Sequence, residues 1–248
     1  MPVLTFHAVE DRRSVMAISP EVFRQGMERL HESGHRSMGL TKAVDYLRRG
    51  IPFPDRSFVI TFDDGYQSVY EKAFPVLDHY GMSATVFLTV GNKDISRHAE
   101  QLPSREGRSM LTWGEIREMR QCGIDFGAHT LTHPNLTRLS RSQITMEVYD
   151  SKAIIEDRLG VPVSFFAYPY GRYDQRSYEI VSQRFDCACT DRLGLLKAGS
   201  DLFALERVDS YYIRRNGLFH MMTSRLFPHY IWAFNIPRSI RRALYKKQ

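Results

Sequence analysis

No acidic residue follows Asp209. From there to the C-terminus the only charged residues are Arg214, Arg215, Arg225, Arg238, Arg241, Arg242, Lys246 and Lys247, against a formal net charge of +6 for the whole chain. Everything before residue 210 is therefore mildly acidic, and the basic character belongs to the tail. A body of that sign with no nucleic-acid motif argues against binding to DNA or RNA. Long apolar runs are also missing. No stretch approaches eighteen uninterrupted apolar residues, which excludes a membrane-spanning helix. Cysteine is scarce: Cys122, Cys187 and Cys189 form an odd set without zinc-ribbon spacing. They are expected to be reduced thiols, with Cys187 and Cys189 on one face of a short strand. The opening "MPVLTFHAVEDRRS" lacks the basic start, apolar stretch and cleavage site of a signal peptide, so the expected location is cytoplasmic. No internal repeat is visible.

What is present is an alternation of strand-length apolar runs and segments of helical period. "PVLTFHAV", "SFVITF", "SATVFLTV", "IDFGAH", "VSFFAY", "CACT" and "ALERV" read as strands, about seven in all, most of them separated by helices. Ser19, Pro20 and Gly34 mark the cap, first turn and stop of the first helix. Pro75 should bend or interrupt the helix in "YQSVYEKAFPVLDHYG". Apolar runs of this kind suit parallel strands covered on both faces. The expected class is α/β, a single domain over residues 1–210 with its sheet closed into a barrel, followed by a basic aromatic extension over 211–248. An open doubly wound sheet would show the same order. Residues 91–109 are polar and aperiodic, and read as a long loop near the mouth of the site.

In "FVITFDDGYQSVY" a buried strand ends in two adjacent carboxylates, Asp63 and Asp64, and a glycine. Neighbouring acids repel as they lose water, so a fold with no use for them would rarely put both at the rim of a strand. The plain alternative is a polar turn capping the next helix. "GAHTLTHPN" places His129 and His133 just past another strand, and "YPYG" (168–171) follows a third. In β/α barrels the side chains at this end face a common mouth. Two histidines and a carboxylate can hold one divalent ion and leave coordination positions for water and substrate.

"TFDDG" together with "HTLTH" resembles the polysaccharide deacetylase (NodB-homology) family of carbohydrate esterases, over roughly residues 3–210. The resemblance implies a distorted (β/α)7-type barrel and metal-dependent N-deacetylation of amino sugars. It implies Asp63 as catalytic base and Asp64, His129 and His133 as metal ligands. Zinc is the expected ion, with Co2+, Ni2+, Mn2+ and Fe2+ as alternatives for a mixed nitrogen and oxygen site. Tyr170, before Gly171, would offer its backbone N–H to the oxyanion. The start "VLTFHAV" resembles the exopolysaccharide-linked branch, which makes His7 the acid that protonates the leaving amine. His220 in "LFH" is the alternative acid, and a satisfied core histidine is the plain reading of His7.

One departure stands out. The family's third motif often carries an arginine that holds the catalytic acid, and Ala167 stands about where it would be. Arg207 in "LERVD" is the candidate replacement partner of Asp63, with an ordinary structural ion pair as the alternative. Trp113 reads as a packed residue at a helix start, and Tyr173 as either structural or a sugar-stacking face. The expected partner is an N-acetylated sugar in a polysaccharide or lipid-linked saccharide. A sugar-binding pseudoenzyme and an amidohydrolase for non-sugar amides remain as rivals. The extension interleaves its cations with Phe219, Phe227, Tyr230, Trp232, Phe234 and Tyr245. Such a segment suits peripheral contact with an anionic membrane at its inner face, a polyanionic glycan, or packing across the barrel.

Overall fold

A computed structural model describes residues 1–12, 14–91, 99–214 and 218–235. Of the tail residues named above, Arg215, Arg238, Arg241, Arg242, Tyr245, Lys246 and Lys247 lie outside the described residues, as do 92–98 of the loop expected at 91–109.

Seven parallel strands close on themselves. β1 (Val3–Phe6) pairs with β5 (Ser57–Phe62) on one side and with β10 (Leu205–Asp209) on the other; β6 (Ala84–Leu88), β7 (Ile124–Ala128), β8 (Phe165–Ala167) and β9 (Cys187–Leu193) complete the ring. The barrel expected from the element order is the one observed, and an open sheet is excluded because the β1–β5 pairing joins the two ends of the strand order β1-β10-β9-β8-β7-β6-β5 into a ring. The run "PVLTFHAV" is not one strand, however. It breaks at His7, and the short β2 (Ala8–Val9) pairs instead with β3 (Ala17–Ile18) outside the barrel. A further short strand, β4 (Arg36–Ser37), pairs with β5.

Alternation along each strand decides which side chains enter the barrel. Val3, Val59, Phe87, Phe165, Ala167, Cys187, Cys189 and Leu205 form the inner cluster, while Leu4, Phe6, Ile60, Phe62, Val86 and Val208 face the helices in the larger outer one. The same period puts Asp63, His129 and Arg207 on the inward face as each strand reaches its C-terminal end. Phe87 fills the interior there, and its register partner Gly127 shows why: a Cβ at 127 would stand 2.6 Å from the Phe87 ring. The ring takes the volume a side chain at 127 would need.

The helices are specified by their ends. α1 (Pro20–Glu32) is capped by Ser19, and α2 (Leu40–Arg49) ends at Gly50 in the left-handed conformation. α3 (Phe74–His79) is preceded by a π-turn at Val69–Ala73, the interruption that Pro75 signals in the sequence. α4 (Trp113–Gln121) and α5 (Arg141–Leu159) begin with capping boxes, Thr112 with Glu115 and Ser140 with Gln143. α6 (Gln175–Ser182) is capped by Asp174. Trp113 is buried, as expected of a packing residue.

The described part of the extension lies on the barrel. A 3-10 segment at Leu218–Thr223 packs on α1, where the Phe219 ring occupies the space that a side chain at Gly26 would need. A last helix, α7, runs over 227–235 with Phe227 and Ile231 buried. Tyr230 donates its hydroxyl to the Tyr212 carbonyl and Asn235 donates to the Leu193 carbonyl, both at 2.9 Å.

Candidate active site

At the mouth of the barrel, β5 delivers Asp63 and the turn after it delivers Asp64. Asp64 and Gly65 are both left-handed, with φ of 73° and 86°, and this tight turn points two consecutive carboxylates at different partners. Gly65 has no room for more: a Cβ would meet Leu102 at 2.8 Å. The backbone of the turn is pinned by Asp63 N–H donating to the Phe6 carbonyl (2.9 Å) and Leu111 N–H donating to the Gly65 carbonyl (2.9 Å).

Asp63 is paired with Arg207. The guanidinium donates from Nη1 to Oδ1 at 2.8 Å and from Nη2 to Oδ2 at 2.7 Å, and its Nε donates to the Thr190 carbonyl at 2.8 Å. Both side chains are about 4% exposed. Arg207 reaches this place through a register shift between β9 and β10 at Leu205/Arg207, and a bulge of this kind re-aims one side chain at a rim. Burial alone would raise the Asp63 carboxyl, but the Arg207 charge and hydrogen bonds outweigh it and hold Asp63 well below the carboxylate range. His7, at the break after β1, brings Nε2 to 3.9 Å from Asp63 Oδ2.

Asp64 looks the other way. Its Oδ1 lies 3.8 Å from His129 Nε2 and 3.4 Å from His133 Nε2. These three residues form the one group of metal-ligating side chains found among the described residues, with ligand atoms within 4.8 Å of one another. Two features of the group fit a cation. Asp64 Oδ1 is buried and accepts no hydrogen bond. His129 Nδ1 donates to the Ala167 carbonyl at 2.7 Å, which leaves the Nε2 lone pair turned toward Asp64. Burial lowers His129 to about 4 and His133 to about 3, so both rings are neutral at neutral pH.

The backbone around these groups is strained. Of the six non-glycine residues with positive φ among the described residues, Asp64, Thr130, His133 and Tyr170 belong to this mouth. Positions of this kind persist only where the surroundings over-determine them. Tyr170, in the 3-10 turn Pro169–Gly171, sets its ring edge-on to His133 with centroids 4.7 Å apart. Tyr173 stacks on Tyr168 at 5.0 Å. His220 is exposed in the segment packed on α1.

Sequence reasoning overlooked two residues here. Arg105, in the loop over the mouth, brings Nε to 3.4 Å from Asp64 Oδ1 and Nη2 to 3.0 Å from His133 Nδ1. An arginine in an aperiodic loop carries no signal that would single it out. Glu147, on α5, accepts hydrogen bonds from the segment between the two histidines. Its signal was available: it falls on the buried stripe of α5 with Ile144, Val148, Ser151 and Ile155, where an acid is out of place.

Comparison with known proteins agrees with this geometry. The sequence profile of the family described as polysaccharide deacetylase matches residues 50–184, over half of the chain. The YxkH protein of Bacillus subtilis (strain 168) is 29% identical over 209 residues, covering 84% of this chain and 70% of that protein. The poly-beta-1,6-N-acetyl-D-glucosamine N-deacetylase of Escherichia coli (strain K12) is 27% identical over 165 residues, 62% of this chain but only 24% of that protein's length. Among solved structures, IcaB from Ammonifex degensii has a TM-score of 0.77 at 27% identity, covering 90% of this chain and 97% of its own. The Streptococcus pyogenes deacetylase PplD, at 24% identity, has a TM-score of 0.75 and the same fold. By profile, fold and relatives together, the chain belongs to the polysaccharide deacetylase family of hydrolases.

Proposed function

We propose that the chain is a metal-dependent N-deacetylase that hydrolyses the acetamide of an N-acetylated sugar in a polysaccharide or lipid-linked saccharide. The observation that carries this reading is the Asp64–His129–His133 group standing beside the Arg207-held Asp63 at one barrel mouth. A divalent ion would be held by Asp64, His129 and His133. Their donor set suits zinc first and also cobalt, nickel, manganese or iron. When bound, such an ion supplies an acidified water and polarises the acetamide carbonyl.

The chain's own residues do the rest. Asp63 stays ionised and takes the proton of the attacking water; Arg207 occupies one lone pair on each of its oxygens and leaves others for that task. Arg207 also fixes the carboxylate in place. The Tyr170 backbone N–H is assigned to the developing oxyanion. His7 Nε2 gives its proton to the amine nitrogen as the C–N bond breaks, and acetate and a free amino sugar result. The missing third-motif arginine at Ala167 was the one feature favouring a pseudoenzyme, and the Arg207 contact on Asp63 removes that support.

The substrate to try first is a β-1,6-linked N-acetylglucosamine oligomer, because the E. coli relative is named for that polymer. Acetate release would be measured over a panel of N-acetylglucosamine polymers, lipid-linked sugars, sugar nucleotides and small cyclic amides, with metal-stripped protein and Asp63→Asn as controls. Acetate from a sugar polymer that depends on both metal and Asp63 is the expected result. No acetate from any saccharide by metal-replete protein would overturn the reading.

The extension is assigned to an anionic membrane surface, at the cytoplasmic face. Trp232 on the outer side of α7 and Leu226 just before it are 66% and 61% exposed, next to Arg225 and His229. Aromatic and aliphatic side chains beside cations are the composition that partitions to charged lipid interfaces.

A further inference from the structure

The segment between the two histidines is short and strained, and one side chain from another element accepts three hydrogen bonds from it. His129 to His133 contains two left-handed non-glycine residues, Thr130 at φ 69° and His133 at φ 60°. Left to itself, such a backbone would relax, since residues of this kind persist only where their surroundings over-determine them. The first histidine is anchored by the sheet, with His129 N–H donating to the Leu88 carbonyl at 2.9 Å. The second has no strand beneath it. Its N–H donates to the Thr130 hydroxyl at 3.0 Å, a contact inside the same strained turn.

Outside support comes from two directions: after β6, Gly91 N–H donates to the Leu131 carbonyl at 2.7 Å, and three contacts come from α5. Glu147 Oε2 accepts from both Leu131 N–H and Thr132 N–H at 2.9 Å, and Oε1 accepts from the Thr132 hydroxyl at 2.6 Å. The carboxylate is 5% exposed and faces no basic partner in an ion pair among the described residues. A buried acid with no counter-charge is costly unless its hydrogen bonds are well made, and all three here go to two consecutive residues of one turn. Those donors lie midway between His129 and His133.

We infer that Glu147 is a positioning residue for the metal ligands: from α5 it clamps the Leu131–Thr132 backbone and so sets the separation and aim of the two histidine rings. This rests on the proposed metal site and adds to it a residue that touches neither ion nor substrate. It acts as outer-shell partners do, whose loss typically costs about 10–100-fold in metal affinity. Glutamine should replace it well. Its carbonyl can accept both N–H groups, and its amide can donate to the Thr132 hydroxyl, which turns to accept. Alanine should not.

The experiment titrates Co2+ into metal-stripped full-length protein, reading affinity by calorimetry and ligand geometry by the visible absorption bands. Wild type, Glu147→Gln, Glu147→Ala and Thr132→Val would be compared, with near-ultraviolet dichroism reporting the fold of each metal-free protein. Glu147→Ala is expected to weaken Co2+ binding about 10–100-fold and to shift its absorption bands, while Glu147→Gln stays near wild type. Thr132→Val, which loses one contact of three, should fall between them. If Glu147→Ala does not fold, Thr132→Val decides. Wild-type affinity and bands in a folded Glu147→Ala, or in Thr132→Val if it must stand in, would overturn the inference while leaving the metal site intact. So would equal losses in the alanine and glutamine variants. Failure of wild type to bind Co2+ would instead remove the metal site itself, and this inference with it.

Discussion

Arg207 and Asp63, 144 residues apart, close a two-pronged ion pair in the interior of the barrel mouth. Arg207 thus contacts the carboxylate that an arginine near position 167 was expected to hold. Ala167 keeps a different task, its carbonyl fixing the tautomer of His129.

Removing one partner of a buried pair leaves a charge with no compensation. Arg207→Ala should therefore destabilise the fold by about 3–5 kcal/mol, measured by urea unfolding of metal-free protein. Arg207→Lys keeps the charge but not the two-pronged contact, and should retain more stability than activity. An alanine variant with the wild-type unfolding midpoint would show that the pair contributes nothing to the fold.

On the proposed mechanism His7→Ala removes the proton donor and no metal ligand, so it should slow amine departure and change the alkaline limb of the pH–rate profile. A loss of about 10²–10⁴-fold is the usual scale for a general acid. If the alkaline limb stays as in wild type and activity is within a few-fold, His7 is a packing residue and exposed His220 becomes the acid to test.

The sequence made the barrel legible because its signals are local: apolar runs of strand length, capped helices, and glycines after both. Asp63, Asp64, His129 and His133 were legible because chemistry compresses them into two short motifs. Arg207 could be named but not placed, since its aim depends on a bulge between β9 and β10 that no residue type announces. Arg105 was invisible, and Glu147 was passed over although its helical phase betrayed it. The break at His7 also went unseen, because Phe6 and Ala8 on either side are apolar and read as one strand with it.

Acid should unfold the metal-free protein earlier than a chain of ordinary histidines would. His129 and His133 remain neutral in the fold down to about 4 and 3, while in the unfolded chain they take up protons near 6.5. The unfolded state thus binds more protons across that window, so stability is full above about pH 6.5 and falls as the pH drops toward 4. Asp63, held low in the fold, adds its own loss only below about 3.8. Urea midpoints of chelator-treated protein at pH 7.5, 6 and 5 would test this. Equal midpoints would contradict it.

The membrane assignment is best tested without deleting the extension, since Phe219 and Ile231 are part of the packed structure. Leu226→Ser with Trp232→Ser alters only exposed side chains. The double variant should sediment less with anionic liposomes than wild type at low salt, and neither should favour neutral ones. Equal sedimentation, or no preference for anionic lipid, would return the extension to a packing role.

The strand that closes the barrel is the first to be made. β1 must pair with both β5 and β10, so on a growing chain it waits beside β5 with one edge open until residues 205–209 have left the ribosome. Asp63 waits with it, since the guanidinium that pairs with it is carried by that last strand. A chain ending near residue 200 should accordingly be cut readily by protease where the full chain resists. Closure and pairing are thus tied to one event: the arrival of the final strand shuts the sheet and, with the same residue, brings the guanidinium that pairs with Asp63.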